Sequence, residues 1–247
     1  MLRPQAPLHH AARTAARVVV PAGLGLDSAD VRLRMVARLR ASGLRNEAVL
    51  AALAAVPRHV FVDTALVNQA YEDTSLPIGH GQTISKPSVV ARMIELLAAG
   101  AAAQAAGTLG KVLEIGTGCG YQAALLARLA RQVVSVERIE PLHLRARVHL
   151  SALRETRVRL VYGDGMLGAA PNAPYDSIIA AAGGDTLPQA WLDQLAPAGR
   201  LVAPLRMPNG QQSLVVVDHT DTGYRRTIHE SVHFVPLISG IDGRRTA

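Results

Sequence analysis

Glu114, Glu137 and Asp164 are three carboxylates that sit in, or just behind, short apolar runs of the chain. Val112-Leu113-Glu114-Ile115 leads into Gly116, Gly118 and Gly120 at alternate positions, and an apolar helical pattern, Tyr121 to Leu129, follows at once. That order reads as a buried strand, a tight turn and a helix start. Glycine lets backbone approach a ligand closely, and the first turn of a helix carries unpaired N–H groups. Glu137 closes a second apolar run, where a carboxylate can accept both hydroxyl protons of a ribose. Asp164 stands between Gly163 and Gly165 after a third run, placed to accept the exocyclic amine of an adenine. Each feature has a plain reading, as a turn or a solvated acid. Together, on successive strands, they point to S-adenosyl-L-methionine. The spacing is G-x-G-x-G rather than the G-x-G-x-x-G of dinucleotide enzymes, which leaves a nicotinamide cofactor as the alternative.

These residues need a frame to hold them. Strand-like runs at Lys111–Ile115, Val133–Glu137, Val158–Tyr162, Asp176–Ala181 and Arg200–Pro204 alternate with helical patterns at Tyr121–Leu129, Pro141–Arg154 and Pro188–Leu195. The alternation predicts βαβ units in an α/β, doubly wound, mostly parallel sheet. Ligands bind such sheets beyond the carboxyl ends of the strands, where the three acids fall. Ser213–Val217 and Ser231–Leu237 are expected as antiparallel strands at one edge. Ahead of the sheet, Asp30–Leu39 and Glu47–Val56 pattern as helices, the second capped by Asn46 and stopped by Pro57. A short helical stretch near residues 65–70 and a helix over Ser88–Ala99 follow. Between them residues 71–87 have no period and read as a long loop, a length that usually serves function. Ala98–Gly110 reads as a small-residue connector. The expected organisation is a disordered tail over 1–26 and one domain over 27–247. Within it, 27–99 is a helical part carrying the loop 71–87, 111–204 the cofactor-binding core, and 205–238 the C-terminal strands.

Composition narrows the class. The 247 residues suffice for one α/β domain with attachments. The net charge of +7 comes from arginine, the only lysines being Lys86 and Lys111, and it keeps a nucleic-acid partner open. The chemistry speaks against that partner. Enzymes that methylate amino groups of nucleic acids place an Asn- or Asp-Pro-Pro-aromatic turn after the fourth strand, where this chain has Ala180-Ala181-Ala182-Gly183-Gly184. Cytosine-C5 enzymes use a nucleophilic cysteine in a separate loop, and the one cysteine here, Cys119, lies inside the glycine turn. A single cysteine excludes an internal disulfide and a Cys-rich metal centre, and it fits a reducing compartment. No apolar run reaches the roughly 18 residues that span a bilayer. Val18-Val19-Val20, stopped by Pro21, is too short for a signal-peptide centre.

One stretch is more specific than the glycine turn. Ala70–Leu97, with Gly79-His80-Gly81-Gln82-Thr83-Ile84-Ser85 at its centre, resembles protein-L-isoaspartate O-methyltransferases. The similarity takes in Val56–Val62 and Val112–Ala127. It continues through Glu137-Arg138, Gly163-Asp164-Gly165, Pro174-Tyr175-Asp176, Leu195–Pro204 and Glu230–Leu237, so that residues 28–238 are covered. The resemblance implies a Rossmann-like, seven-stranded methyltransferase fold with an N-terminal helical attachment. It implies methyl transfer from S-adenosyl-L-methionine, leaving S-adenosyl-L-homocysteine, to the α-carboxylate of L-isoaspartyl residues in damaged proteins and peptides. No metal, nucleic acid or membrane is implied, and the expected state is a cytoplasmic monomer.

Residue by residue, the family's turn beside substrate and cofactor falls on Thr83, Ile84 and Ser85, with Ser85 as the active-site residue and Thr83 beside it. Its cofactor positions fall on Glu114, Gly116, Gly118, Gly120, Glu137, Arg138, Asp164 and Gly165. Read without the family, Ser85 ahead of Pro87 is a helix N-cap, His80 is an exposed loop histidine and Trp191 is core. Two other functions remain: an adenosylmethionine-dependent RNA methyltransferase, favoured by the charge, and a cofactor-binding partner module without turnover. Residues 1–26, the terminal Arg244–Ala247 and the long connector depart from the family, and Lys86 and Ser88 occupy positions that vary in it.

Overall fold

A computed structural model describes residues 29–242; the expected tail over 1–26 lies outside the described residues. At its centre is a seven-stranded sheet built from β3 (Lys111–Ile115), β4 (Gln132–Glu137), β5 (Val158–Tyr162), β6 (Tyr175–Ala180), β7 (Leu195–Arg206), β8 (Gln212–Thr220) and β9 (Gly223–Val232). The spatial order is β5-β4-β3-β6-β7-β8-β9. Strands β5, β4, β3, β6 and β7 run parallel, and β8 and β9 close the edge antiparallel. From β3 the chain winds outward through β4 to β5, then returns to β6 on the other side of β3 and winds the opposite way. The switch point of the sheet is therefore between β3 and β6, and the crevice that forms there lies beyond Ile115 and Ala180.

Alternation along the strands divides the core. Val112, Val133, Ile179, Val202 and Val216 face one layer; Leu113, Val134, Ile178, Leu201 and Val217 face the other. The first layer holds α1 (Ala29–Ala41), α2 (Glu47–Ala55), α3 (Pro87–Ala98) and α5 (Tyr121–Leu129). Central strands buried on both faces read as continuous apolar runs, which is why they are visible in the sequence. On the second face Trp191 of α7 (Gln189–Asp193) and Tyr175 are fully buried. Helix α6 (Glu140–Ala152) covers β4 and β5.

Three expectations are corrected. Residues 71–87 are not a plain loop: β1 (Leu76–Gly79) and β2 (Gln82–Ile84) pair antiparallel within them. Their turn takes three consecutive residues with positive φ, Gly79, His80 and Gly81, of which only the glycines suit that conformation. The connector contains a short helix, α4 (Ala101–Ala106), ended by Gly107 at φ 65°. The last strand is displaced: β9 covers Gly223–Val232, and only Ser231 and Val232 of the expected run belong to it. Residues 233–242 instead leave the sheet and pass back over the ends of its parallel strands.

Candidate active site

The helix after the hairpin explains how the reactive turn is held. Pro87 opens α3, and its N-cap is Lys86, not Ser85 as the plain reading had it. The capping carboxylate comes from a distance: Asp73 accepts from Ser88 N at 2.8 Å and Ser88 Oγ at 2.7 Å. Ser85 is thereby free of capping, half-buried at the end of β2. Its backbone carbonyl accepts from Arg58 Nη2 at 2.7 Å. Arg58 is fully buried beneath the turn, with its guanidinium 4.8 Å from the centre of the Tyr121 ring. On the other side Arg145 of α6 donates to Ile78 O at 2.6 Å. Two arginines thus fix the hairpin to the frame through backbone oxygens.

A cavity opens at the switch point. Thr83, Ile84 and Ser85 line one wall; Gly116, Gly118, Glu137, Arg138 and Gly165 line the other. These are eight of the eleven residues singled out in the sequence, and they come from four separate stretches of chain. Ile78 of the hairpin touches the glycine turn so closely that a Cβ on Gly118 would lie 3.2 Å from Ile78 Cδ1. Glu137 is buried and shapes the turn: Oε2 accepts from Gly118 N at 2.8 Å and Oε1 from Ile139 N at 2.9 Å. One lone pair on each oxygen is left for a ligand. Gly165 is required for space, since a Cβ there would meet Ile115 Cγ2 at 2.6 Å.

Three expected residues do not line the cavity. Gly120 caps α5 at φ 93°, and its missing side chain admits Ala146 of α6, which a Cβ would approach to 3.3 Å. Asp164 has both carboxylate oxygens on backbone: Oδ1 accepts from Met166 N at 2.8 Å and Oδ2 from Gly240 N at 2.6 Å. Glu114 lies one layer below the surface, fully buried, where burial pushes its carboxyl up to about 8. Ser135 Oγ donates to Glu114 Oε2 and is 2.6 Å from Thr117 Oγ1, so a buried chain of hydroxyls runs from this acid to Thr117 on the cavity wall.

Sequence reasoning missed several supports. Arg58 lies within Val56–Val62 but carries no chemical signal in the sequence, because only burial gives it a role. Trp191, read as core, also donates Nε1–H to Gly165 O at 2.8 Å and steadies that wall. His149 Nδ1 donates to Cys119 O at 2.9 Å, holding the glycine turn from α6. Cys119 itself is buried, and burial pushes its thiol up to about 11, so it is an unreactive filler of the turn. His80 is exposed at the hairpin tip and does not line the cavity. Residues 235–238 form the roof of the cavity. This C-terminal strap is bonded to three strand ends. Gly183 exchanges bonds with Val235 and Leu237, Asp164 takes Gly240 N, and Arg138 bonds Gly240 O through Nε and Asp242 N through its carbonyl.

Polar side chains lie in and under this cavity. Gln122 and Tyr121 line the cavity, Gln122 beside the Glu114 carboxyl and Tyr121 against the Arg58 guanidinium. Glu137, at the end of the wall with a lone pair free on each oxygen, suits a ligand that carries a ribose. No set of three or more His, Cys, Asp or Glu among the described residues is grouped to hold a metal ion. No helix among them is long and apolar enough to cross a membrane.

The strand order, the glycine turn at the switch point and the acid ending the second parallel strand define a Rossmann-like methyltransferase. Residues 31–242 match the family described as protein-L-isoaspartate(D-aspartate) O-methyltransferase. The chain belongs to that family. It is 65% identical over 244 residues to the protein-L-isoaspartate O-methyltransferase of Methylibium petroleiphilum, covering 98% of this chain and 90% of that one. With the Dechloromonas aromatica protein of the same name the identity is 54% over 218 residues, 88% of this chain and 98% of that one. A solved structure of a protein-L-isoaspartate O-methyltransferase superposes with a TM-score of 0.75 at 26% identity, over 85% of this chain and 67% of the other. A Plasmodium falciparum chain assigned to the same enzyme type, crystallised with S-adenosyl-L-homocysteine, shares the fold at a TM-score of 0.69 and 20% identity, over 84% and 98% of the two chains.

Proposed function

We propose that this chain is a protein-repair enzyme, moving a methyl group from S-adenosyl-L-methionine to the free α-carboxylate of L-isoaspartyl residues in damaged proteins and peptides. The observation that carries the reading is that Thr83-Ile84-Ser85 and the glycine turn line the same cavity. When bound, the cofactor supplies a methyl group on a sulfonium, an electrophile with a good leaving group. The residues fit it. Gly116 and Gly118 would admit its amino-acid end to the backbone, with the Thr117–Ser135–Glu114 chain beneath. Glu137 would accept the ribose hydroxyls, and Gly165, with Asp164 behind it, would flank the adenine.

The chain's own part is positioning. The acceptor is a carboxylate, ionised at neutral pH because its pKa is about 3.5, so the protein supplies no base. The Ser85 hydroxyl donates a hydrogen bond to one oxygen of that carboxylate and leaves the other oxygen to react. Thr83 shapes the wall beside it, and Ile84, buried, sets the turn against the core. Alignment of this kind accelerates a displacement without acid or base help. The enzyme needs no metal, acts as a cytoplasmic monomer in a single domain over 27–247, and takes protein rather than nucleic acid or membrane as its partner. The lone, inert Cys119 accords with a reducing compartment.

The test offers labelled adenosylmethionine with an isoaspartyl peptide, its aspartyl twin and total RNA, and asks whether the label is lost in base. A base-labile ester on the isoaspartyl peptide alone is the expected result. Label in RNA points to the nucleic-acid alternative, and no label anywhere points to a binding module.

A further inference from the structure

Ser85 borders two spaces. One is the cavity at the switch point; the other is an open groove on the far side of the turn, lined among others by Ser75, Lys86, Arg206, Ser231 and His233. We propose that this groove receives the polypeptide flanking the isoaspartate, and that Lys86 and Arg206 make the enzyme favour acidic residues there. The proposal rests on the functional reading above and names the substrate class within it.

The connection is geometric. A peptide whose acceptor carboxylate sits at Ser85 must lead away from that serine, and the groove begins at it. An extended chain advances about 3.3–3.6 Å per residue, so the first two or three neighbours of the isoaspartate would lie between the start of α3 and the ends of β7 and β9. No aspartate or glutamate lines the groove, whereas Lys86, Arg206 and His233 do. Lys86 is exposed and has no ion pair among the described residues. Arg206 has one acidic neighbour, Asp185, at 3.1 Å, and their side chains are 60% and 80% exposed. An exposed pair of that kind is weak and exchanges readily for a substrate carboxylate. Of the two acids flanking the groove in sequence, Glu230 is turned to Arg92 at 2.7 Å and Asp73 has its oxygens on Ser88 N and Oγ at the start of α3. The field a peptide meets is therefore cationic, held by side chains that no other part of the described chain neutralises firmly.

The experiment compares isoaspartyl peptides of one length with Glu, Gln or Lys at the first and second positions on either side of the isoaspartate. For the wild type, KM on one flank should rise from Glu through Gln to Lys by about three- to tenfold per step at low salt, with kcat nearly constant. In 0.5 M salt the spread should shrink. In K86E/R206E the order should reverse, and in K86Q, the milder variant, the spread should narrow; thermal melts of both establish that they fold. Equal KM for the three peptides on both flanks, or an order unchanged in the folded variants, overturns the proposal and leaves the methyltransferase reading standing. Absence of ester on every peptide with the wild type overturns both.

Discussion

Arg58 carries its charge into a place with no carboxylate in hydrogen-bonding reach: Nη2 bonds Ser85 O at 2.7 Å, and the guanidinium lies against the Tyr121 side chain. Burial holds its pKa below the usual arginine value. Such a costly residue acts through what it fixes, here the backbone of the reactive turn, so it is a positioning residue. Arg58→Lys, which loses the planar face on Tyr121 and the directed bond, should raise KM for an isoaspartyl peptide and lower kcat by about tenfold, with cofactor affinity little changed in calorimetry. Ser85→Ala should lower kcat by roughly ten- to a hundredfold, since one hydrogen bond to a charged group is worth about 1.5–3 kcal/mol, and should leave the melting temperature unmoved. An undiminished rate would remove Ser85 from the chemistry. Glu114 gives a pH signature. Unfolded, it loses its proton near 4.5; folded, it keeps the proton up to about 8. Between those values the unfolded chain binds fewer protons, so this group makes the cofactor-free protein less stable as pH rises, by up to about 1.4 kcal/mol per unit. Glu114→Gln should therefore flatten the fall in melting temperature between pH 5 and pH 8.

At the scale of elements, the hairpin β1–β2 is the lid of the glycine turn. Gly118 has φ 55° and Ile78 Cδ1 waits 3.2 Å from its absent Cβ. Gly118→Ala adds a left-handed strain of about 1–2 kcal/mol and pushes on the hairpin at once. It should weaken cofactor binding at least tenfold and lower the melting temperature by a few degrees, measured by calorimetry and thermal melts. This contact also shows what the sequence could reveal. Val112–Gly120 reads directly, because a strand buried on both faces is an unbroken apolar run and three glycines mark its end. The hairpin does not, because Leu76-Pro77-Ile78-Gly79 is too short for a period and places a proline in a strand. Strand β9 hides for the opposite reason: Tyr224, Arg225, Arg226 and Thr227 are exposed, so pairing with β8 rather than burial defines it. Eight of eleven proposed site residues share the cavity; Glu114 and Asp164 fell outside it because sequence order marks a strand end but not the direction a side chain takes from it, and Gly120 because it caps α5 against α6.

Over the whole molecule, the parallel sheet builds a crevice and two attachments close it: the hairpin on one side, from before the first parallel strand, and the strap over 235–242 on the other, from after the last edge strand. The cavity is thus made by the middle of the chain and completed by both flanks, which are far apart in sequence. That arrangement gives the molecule an internal gauge. Gly240 N is bonded to Asp164 Oδ2 at 2.6 Å, at a carboxylate directly behind the Gly165 wall. An amide in that position feels every change in the charge or crowding of its acceptor. In a glycine-15N-labelled sample the Gly240 resonance should move on titration with S-adenosyl-L-homocysteine, at ligand concentrations that track calorimetric binding, and should stay still on titration with an isoaspartyl peptide alone. Read together with turnover, that one signal separates occupancy of the nucleoside end from arrival of the damaged protein, without altering a residue at either.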